Sequence, residues 1–213
     1  MLLHGGGLSW WNYRDEANLL KENYHVVLPV LDGHADSDTP FTTIENNAKE
    51  LISYIDENFD GTILAICGFI SRWASSRRNA FTKKQYMQIG SYRECFGCAY
   101  ANDSRIDCAD LWHKLRAHQE KWFSEAQFKS LKIQDKLYED YYRDTCKIRK
   151  QDMIRFLKSN SSYVAKPSLA NTTANVIIIV GGKEQKVMRR SAEILHTMIP
   201  NSKLQILNSI LSW

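Results

Sequence analysis

The stretch GTILAICGFISRW, residues 61–73, decides how the whole chain is read. TILAIC is an apolar run of strand length, closed by Gly68. Such a run suits a strand buried on both faces of a parallel sheet. A glycine at its end should open a tight turn and then an amphipathic helix. Here it opens into FISRWASSRRNAFTKKQ, which has neither a helical stripe nor a stop signal. A regular strand runs into a segment that does not match it.

On the N-terminal side the pattern is regular. MLLHGGG reads as the end of a strand entering a glycine turn, so that the chain starts almost inside that strand. YRDEANLLKEN places Ala17, Leu19 and Leu20 on one helical side, with Asn23 near the stop. YHVVLPVL predicts a buried strand, and DGHADSDTP a polar turn. TTIENNAKELISYIDENF predicts an amphipathic helix. Its apolar face is Ile44, Ala48, Leu51, Ile52, Ile55 and Phe59, and its N-cap is Thr42 or Thr43.

On the C-terminal side the pattern resumes near Trp122. SEAQFKSLKIQDKLYEDYYRDTC and KQDMIRFLKSN read as helices, and ANVIIIVGG as a buried strand. KVMRRSAEILHTMI is a helix with Val187, Ala192, Ile194 and Leu195 apolar, and SKLQILN is a final strand. Strands alternating with helices predict an α/β fold with a mostly parallel sheet flanked by helices.

Composition sets outer limits. The chain has 213 residues, 44% hydrophobic and 24% charged. That suits one domain, or one domain with a small insertion. No apolar stretch approaches membrane-span length, and the N-terminus lacks the basic start and apolar core of a signal peptide. Five cysteines at irregular spacing argue against a disulfide framework and for a reducing cytoplasm. The net charge is +4, yet residues 69–118 hold nine Lys/Arg against four Asp/Glu. That block alone carries +5, leaving −1 for the rest of the chain.

Three landmarks carry the functional reading. LLHGGGLSWW puts His-Gly-Gly-Gly after a strand, with backbone N–H groups little covered by side chains, which suits holding a negative oxygen. LPVLDGHADSD follows one strand–helix unit later. IIIVGGKEQ ends a buried strand in Gly-Gly-Lys-Glu. In this order the three motifs resemble the α/β-hydrolase family, in its bacterial style, over residues 1–68 and about 122–208. The resemblance implies a Ser–acid–His hydrolase of a small ester-like or other acyl substrate, with an oxyanion hole and no cofactor. Glu184 would be the acid and Gly6 an oxyanion donor.

Two family features are missing. The family would place Gly-x-Ser-x-Gly after the ILAIC strand. The chain has Gly68-Phe69-Ile70-Ser71-Arg72-Trp73, with its serine one position late and Arg and Trp where glycine is needed. Ser71 is therefore the nearest nucleophile candidate. The family also keeps a histidine after the last strand, but this chain ends NSILSW. His196 falls in a helix and His4 in the glycine turn, so neither suits the base.

A shifted reading frame accounts for both departures. With one extra base at Phe69, codons read from their second base let Phe69–Ala74 become Leu-Ser-Leu-Gly-Gly-Gln. Gly68 then heads GLSLGGQ, a complete elbow. A compensating shift near Lys121 would restore the frame at Trp122. In the same way Leu211-Ser212-Trp213 permits Tyr-His-Gly. The weight rests on the glycines, because tryptophan has one codon and its shifted reading is forced. Apolarity is a weaker sign, since the free third base becomes the middle base.

The predicted organisation is a core part over 1–68, an aberrant segment over 69–121, a helical cap-like region over 122–165 and a second core part over 166–213. As written, the middle segment should pack badly and deprive the sheet of at least one central strand. The expected protein is cytoplasmic, truncated at its N-terminus relative to the family, and inactive. It is expected to bind neither nucleic acid nor membrane nor metal. The rival reading is a zinc- or nucleic-acid-binding module over 69–118. It rests on Cys95, Cys98, Cys108 and His113 as zinc ligands, and on RWASSRRNAFTKK as a basic patch.

Overall fold

The computed structural model describes residues 1–69, 86–90, 121–131, 133–184 and 186–207. Five strands form one sheet: β1 (Leu2–Leu3), β2 (Ala65–Phe69), β3 (Tyr86–Gly90), β4 (Asn175–Gly181) and β5 (Ser202–Leu207). Every pairing is parallel, and the spatial order β1-β2-β3-β4-β5 repeats the chain order. One row of the register runs Leu3, Gly68, Ile89, Ile178, Leu204. All five strands therefore end at one edge.

Six α-helices are described: α1 (Arg14–Leu20), α2 (Ile44–Asn58), α3 (Lys121–Leu131), α4 (Tyr138–Lys147), α5 (Lys150–Ser161) and α6 (Lys186–Met198). The Thr43 side chain caps α2 by accepting from Asn46 N–H at 3.1 Å. Ile44 and Ile55 of α2 are buried, while Ala48, Leu51, Ile52 and Phe59 are half-buried, as the stripe predicts. The main core joins Leu3, Leu31, Ile55 and Ile66 to Val176, Ile178 and Val180 of β4 and to Ala192 and Leu195 of α6. Each of the Val, Leu and Ile side chains contributes about 1.5–3 kcal/mol when taken fully out of water.

Several elements depart from the sequence reading. YHVVLPVL is not paired as a strand; Val26–Val30 are only half-buried. Its neighbour β1 has two residues, both paired with β2, and meets the run through Leu2 N–H, which donates to Val27 C=O at 2.9 Å. Leu19 of α1 is 76% exposed, and the burial there comes from Trp11 in the preceding 3-10 turn Trp10–Tyr13. Ile194 of α6 is exposed as well. The predicted helix over 124–146 breaks at Ile133–Gln134 and resumes through a 3-10 turn, Asp135–Leu137. The middle segment does supply a strand, β3, between β2 and β4. Backbone pairing across a sheet needs little from particular side chains, so a short stretch with Tyr, Met and Ile can meet it.

The helices α3, α4 and α5 pack on the loops that follow β1 and the 25–31 run. Phe128 of α3 and Leu137 and Tyr141 around α4 cluster with Leu8 and Trp11. Phe156 and Leu157 of α5 cluster with Phe41 and Ile44. Among the described residues no helix is long and apolar enough to cross a membrane.

Candidate functional site

The glycine turn after β1 is built around His4. Its ring is buried, and Nε2 accepts the Leu31 N–H at 3.0 Å. Nε2 therefore carries no proton. Nδ1 holds it and faces Gly5 C=O at 2.9 Å. Both ring nitrogens thus serve the backbone, which is the physical reason His4 is unsuited to act as a base. Gly7 closes the turn at φ +72°, a conformation that selects glycine although a Cβ there would meet nothing within 4 Å. Gly6 lies half-buried between them.

The loop after the 25–31 run packs against this turn. His34 is buried, its ring 5.0 Å from His4 and 5.3 Å from Phe156 of α5. Asp32 N–H donates to Asn47 Oδ1 of α2 at 3.1 Å. Asp152 of α5 accepts Phe41 N–H at 3.1 Å and Arg149 Nε at 2.6 Å.

Glu184 follows β4 in the turn Gly181–Glu184, where its N–H donates to Gly181 C=O at 3.1 Å. Its side chain is buried, 4% exposed. Gly182 N–H donates to Leu207 C=O at 3.1 Å, so the end of β5 lies beside the Glu184 turn. Gly6 and Glu184 both lie beyond the carboxyl ends of their strands. Neighbouring strands stand about 4.8 Å apart, so the end of β2 is about 5 Å from β1 and about 10 Å from β4. Ser71, the zinc set Cys95, Cys98, Cys108 and His113, the basic patch and the last six residues lie outside the described residues. A surface cavity of about 400 Å³ is lined by Thr43, Glu45, Tyr163 and Lys166, and by neither Gly6 nor Glu184.

The sequence reading missed one polar group at this edge. Asp144 of α4 is 1% exposed and accepts the Trp11 indole N–H at 2.7 Å. Arg143 Nε also donates to it at 2.6 Å, and Asp144 in turn holds the Arg143 guanidinium pKa above its ordinary value. Thr145 lies beside it, its hydroxyl 3.5 Å from Gly7 C=O. The available signal was spacing. Tyr141, Asp144 and Thr145 stand at i, i+3 and i+4, which puts an acid on the aromatic face of a helix.

No family model matches the chain. Among curated proteins it is similar to a soluble epoxide hydrolase of Corynebacterium sp., 34% identical over 68 residues. That match spans 30% of this chain and about a quarter (24%) of the length of that protein. Among solved structures it is similar to an esterase from Exiguobacterium antarcticum, at TM-score 0.72 and 13% identity, covering 97% of this chain and 82% of the other. A thermophilic esterase from Thermogutta terrifontis gives TM-score 0.70 at 14% identity, covering 97% and 79%. MenH from S. aureus gives 0.69 at 15%, covering 99% and 85%. Identities this low speak for architecture. The parallel sheet, its flanking helices and the helices over its loops are those of the α/β-hydrolase fold.

Proposed function

We propose that this chain derives from a Ser–acid–His hydrolase of small ester-like or other acyl substrates, and that it is catalytically inactive as it stands. One observation carries the reading. A glycine turn after β1 and a buried glutamate after β4 lie at the same edge of an α/β-hydrolase sheet, on either side of the exit from β2. That exit is where a nucleophile elbow belongs.

In the ancestral reaction the histidine takes the serine proton as the serine oxygen attacks the acyl carbon. Glu184 orients the histidine and stabilises its charged form. An amide of the glycine turn, with Gly6 as donor, holds the oxyanion, together with the amide after the serine. The region 122–165 acts as a cap that shapes the acyl pocket. The close approach of Leu207 to Gly182 supports a histidine read across Ser212 and Trp213. Five residues of chain reach at most about 17 Å, enough to return from the end of β5 to Glu184. The free thiols Cys67 and Cys146 favour a cytoplasmic setting.

Resequencing across codons 68–72 and past codon 213 tests the reading. It should reveal a one-base excess near Phe69 and a second shift near Ser209. The chain as it stands should leave a fluorophosphonate probe unreacted, since an unactivated serine is a weak nucleophile. The frame-restored chain should hydrolyse a small activated ester. Glu184→Ala should slow that chain on the order of 10⁴-fold, the scale seen when the triad acid of a serine protease is replaced. DNA unable to encode LSLGG in the shifted frame, or stoichiometric labelling of Ser71, refutes the proposal.

A further inference from the structure

The Trp11–Asp144 hydrogen bond joins two parts of the chain that are 133 residues apart in sequence. Trp11 is fully buried and belongs to the 3-10 turn that directly continues the glycine turn. Asp144 is buried on the inner face of α4. A carboxylate so far from water requires donors, and it has two: the indole N–H at 2.7 Å and Arg143 Nε at 2.6 Å. The Trp11 ring also meets the Tyr141 ring edge-on at 6.5 Å, one turn earlier on α4. Thr145 on the same helix approaches the carbonyl of Gly7. Tyr141 and Asp144 of α4 therefore hold Trp11, while Thr145, whose hydroxyl donates to Tyr141 C=O at 2.5 Å, lies against Gly7.

We infer that Asp144 is a positioning residue that fixes the glycine turn from the cap side, through the Trp11 indole. The fold gives that turn little stiffness of its own, because β1 is only two residues long and the turn contains three glycines. Bonds within and just after the turn include His4 Nδ1 to Gly5 C=O at 2.9 Å, Leu8 N–H to Gly5 C=O at 3.3 Å, and Asn12 N–H to Ser9 C=O at 3.1 Å. The clasp ties the place where Gly6 would hold an oxyanion to the helix that would cover the substrate. A cap movement that carried α4 away would release the turn as well. Its catalytic meaning rests on the reading of Gly6 given above, but the clasp itself is open to test in the present chain.

Amide hydrogen exchange on the full chain, compared with Trp11→Phe and Asp144→Ala, is the test. Trp11→Phe keeps an aromatic ring and removes the N–H; Asp144→Ala removes the acceptor. Both should speed exchange at Leu8 and Asn12 by about tenfold or more, the effect of losing one well-made hydrogen bond to a charged group. Asn47 in α2 and Val176 in β4 should keep their rates. Arg14→Ala breaks an ion pair to α4 at Asp140 without touching Trp11, and should leave Leu8 and Asn12 as they were. In the unmodified chain the Trp11 indole proton should exchange slowly, and Asp144→Ala should abolish that protection. Unchanged rates at Leu8 and Asn12, or equal acceleration at all four amides, overturns the inference. These readouts use no substrate, so an inactive frame-restored chain would count against the Gly6 reading and not against the clasp.

Discussion

Gly33 shows how much a single position constrains this edge of the molecule. It sits at φ +70°, and a Cβ there would fall 2.5 Å from Phe41 Cβ and 2.9 Å from Asp152 Cβ. Conformation and space both exclude a side chain. Gly33→Ala should destabilise the protein by about 2 kcal/mol or more, read as a lower urea midpoint with an unchanged slope. A midpoint equal to that of the parent would contradict the packing of this loop on α5. The sequence identified the loop as a turn but not the reason for its glycine, since the two obstructing residues come from the loop's own end and from a helix more than a hundred positions away. The place of Glu184 just past β4 was legible, because a Gly-Gly at the end of an apolar run is a local turn signal. Asp144 was not, because its meaning depends on an indole that only the fold brings to it.

At the scale of elements, α2 was the most legible. Its stripe, its cap and its limits all follow from neighbouring residues, and its N-cap is now assigned to Thr43. Thr43→Ala should cost about 1 kcal/mol, measured as a shift in thermal midpoint, because Asn46 N–H loses its side-chain acceptor. Thr42→Ala should cost less, since Thr42 Oγ1 accepts only from the exposed Asn46 side chain. Equal losses at both positions would mean that the cap is shared. The 25–31 run was misread for a reason beyond its own composition. An apolar run becomes a strand only beside a partner long enough to pair with it, and β1 offers two residues. The split between α3 and α4 was missed because the apolar pattern continues across it, through Ile133 and Leu137, although the backbone turns there.

At the scale of the whole molecule, the buried groups of the sheet set a pH profile. Burial pushes the Cys67 thiol above its ordinary 9.0, and burial pushes the Met1 ammonium below 8.0. Between the lowered Met1 value and 8.0 the unfolded chain binds more protons than the folded one, so stability rises with pH. Above 9.0 the unfolded chain releases the Cys67 proton while the folded chain keeps it, so stability falls. Tyr163, raised by burial and by Glu45, extends that fall above 10.0. Urea midpoints at about pH 7, 8.5 and 10 should therefore pass through a maximum, and Cys67→Ala should flatten the alkaline side. A steep alkaline side that survives this substitution would assign the loss to other groups.

The sheet has one more property, which follows from its order. Because β1 to β5 lie side by side in the sequence in which they are translated, position along the gene maps onto position across the molecule. A local misreading of the gene therefore becomes a local slab of the protein. β1 and β2 remain together on one side of the middle segment, and β4, α6 and β5 on the other, each with its own pairing intact. In a sheet whose strand order is shuffled relative to the chain, the same misreading would cut several unrelated contacts at once. On the proposal of a shifted frame, the altered stretch falls between two flanks whose strand pairings, β1 with β2 and β4 with β5, do not depend on it.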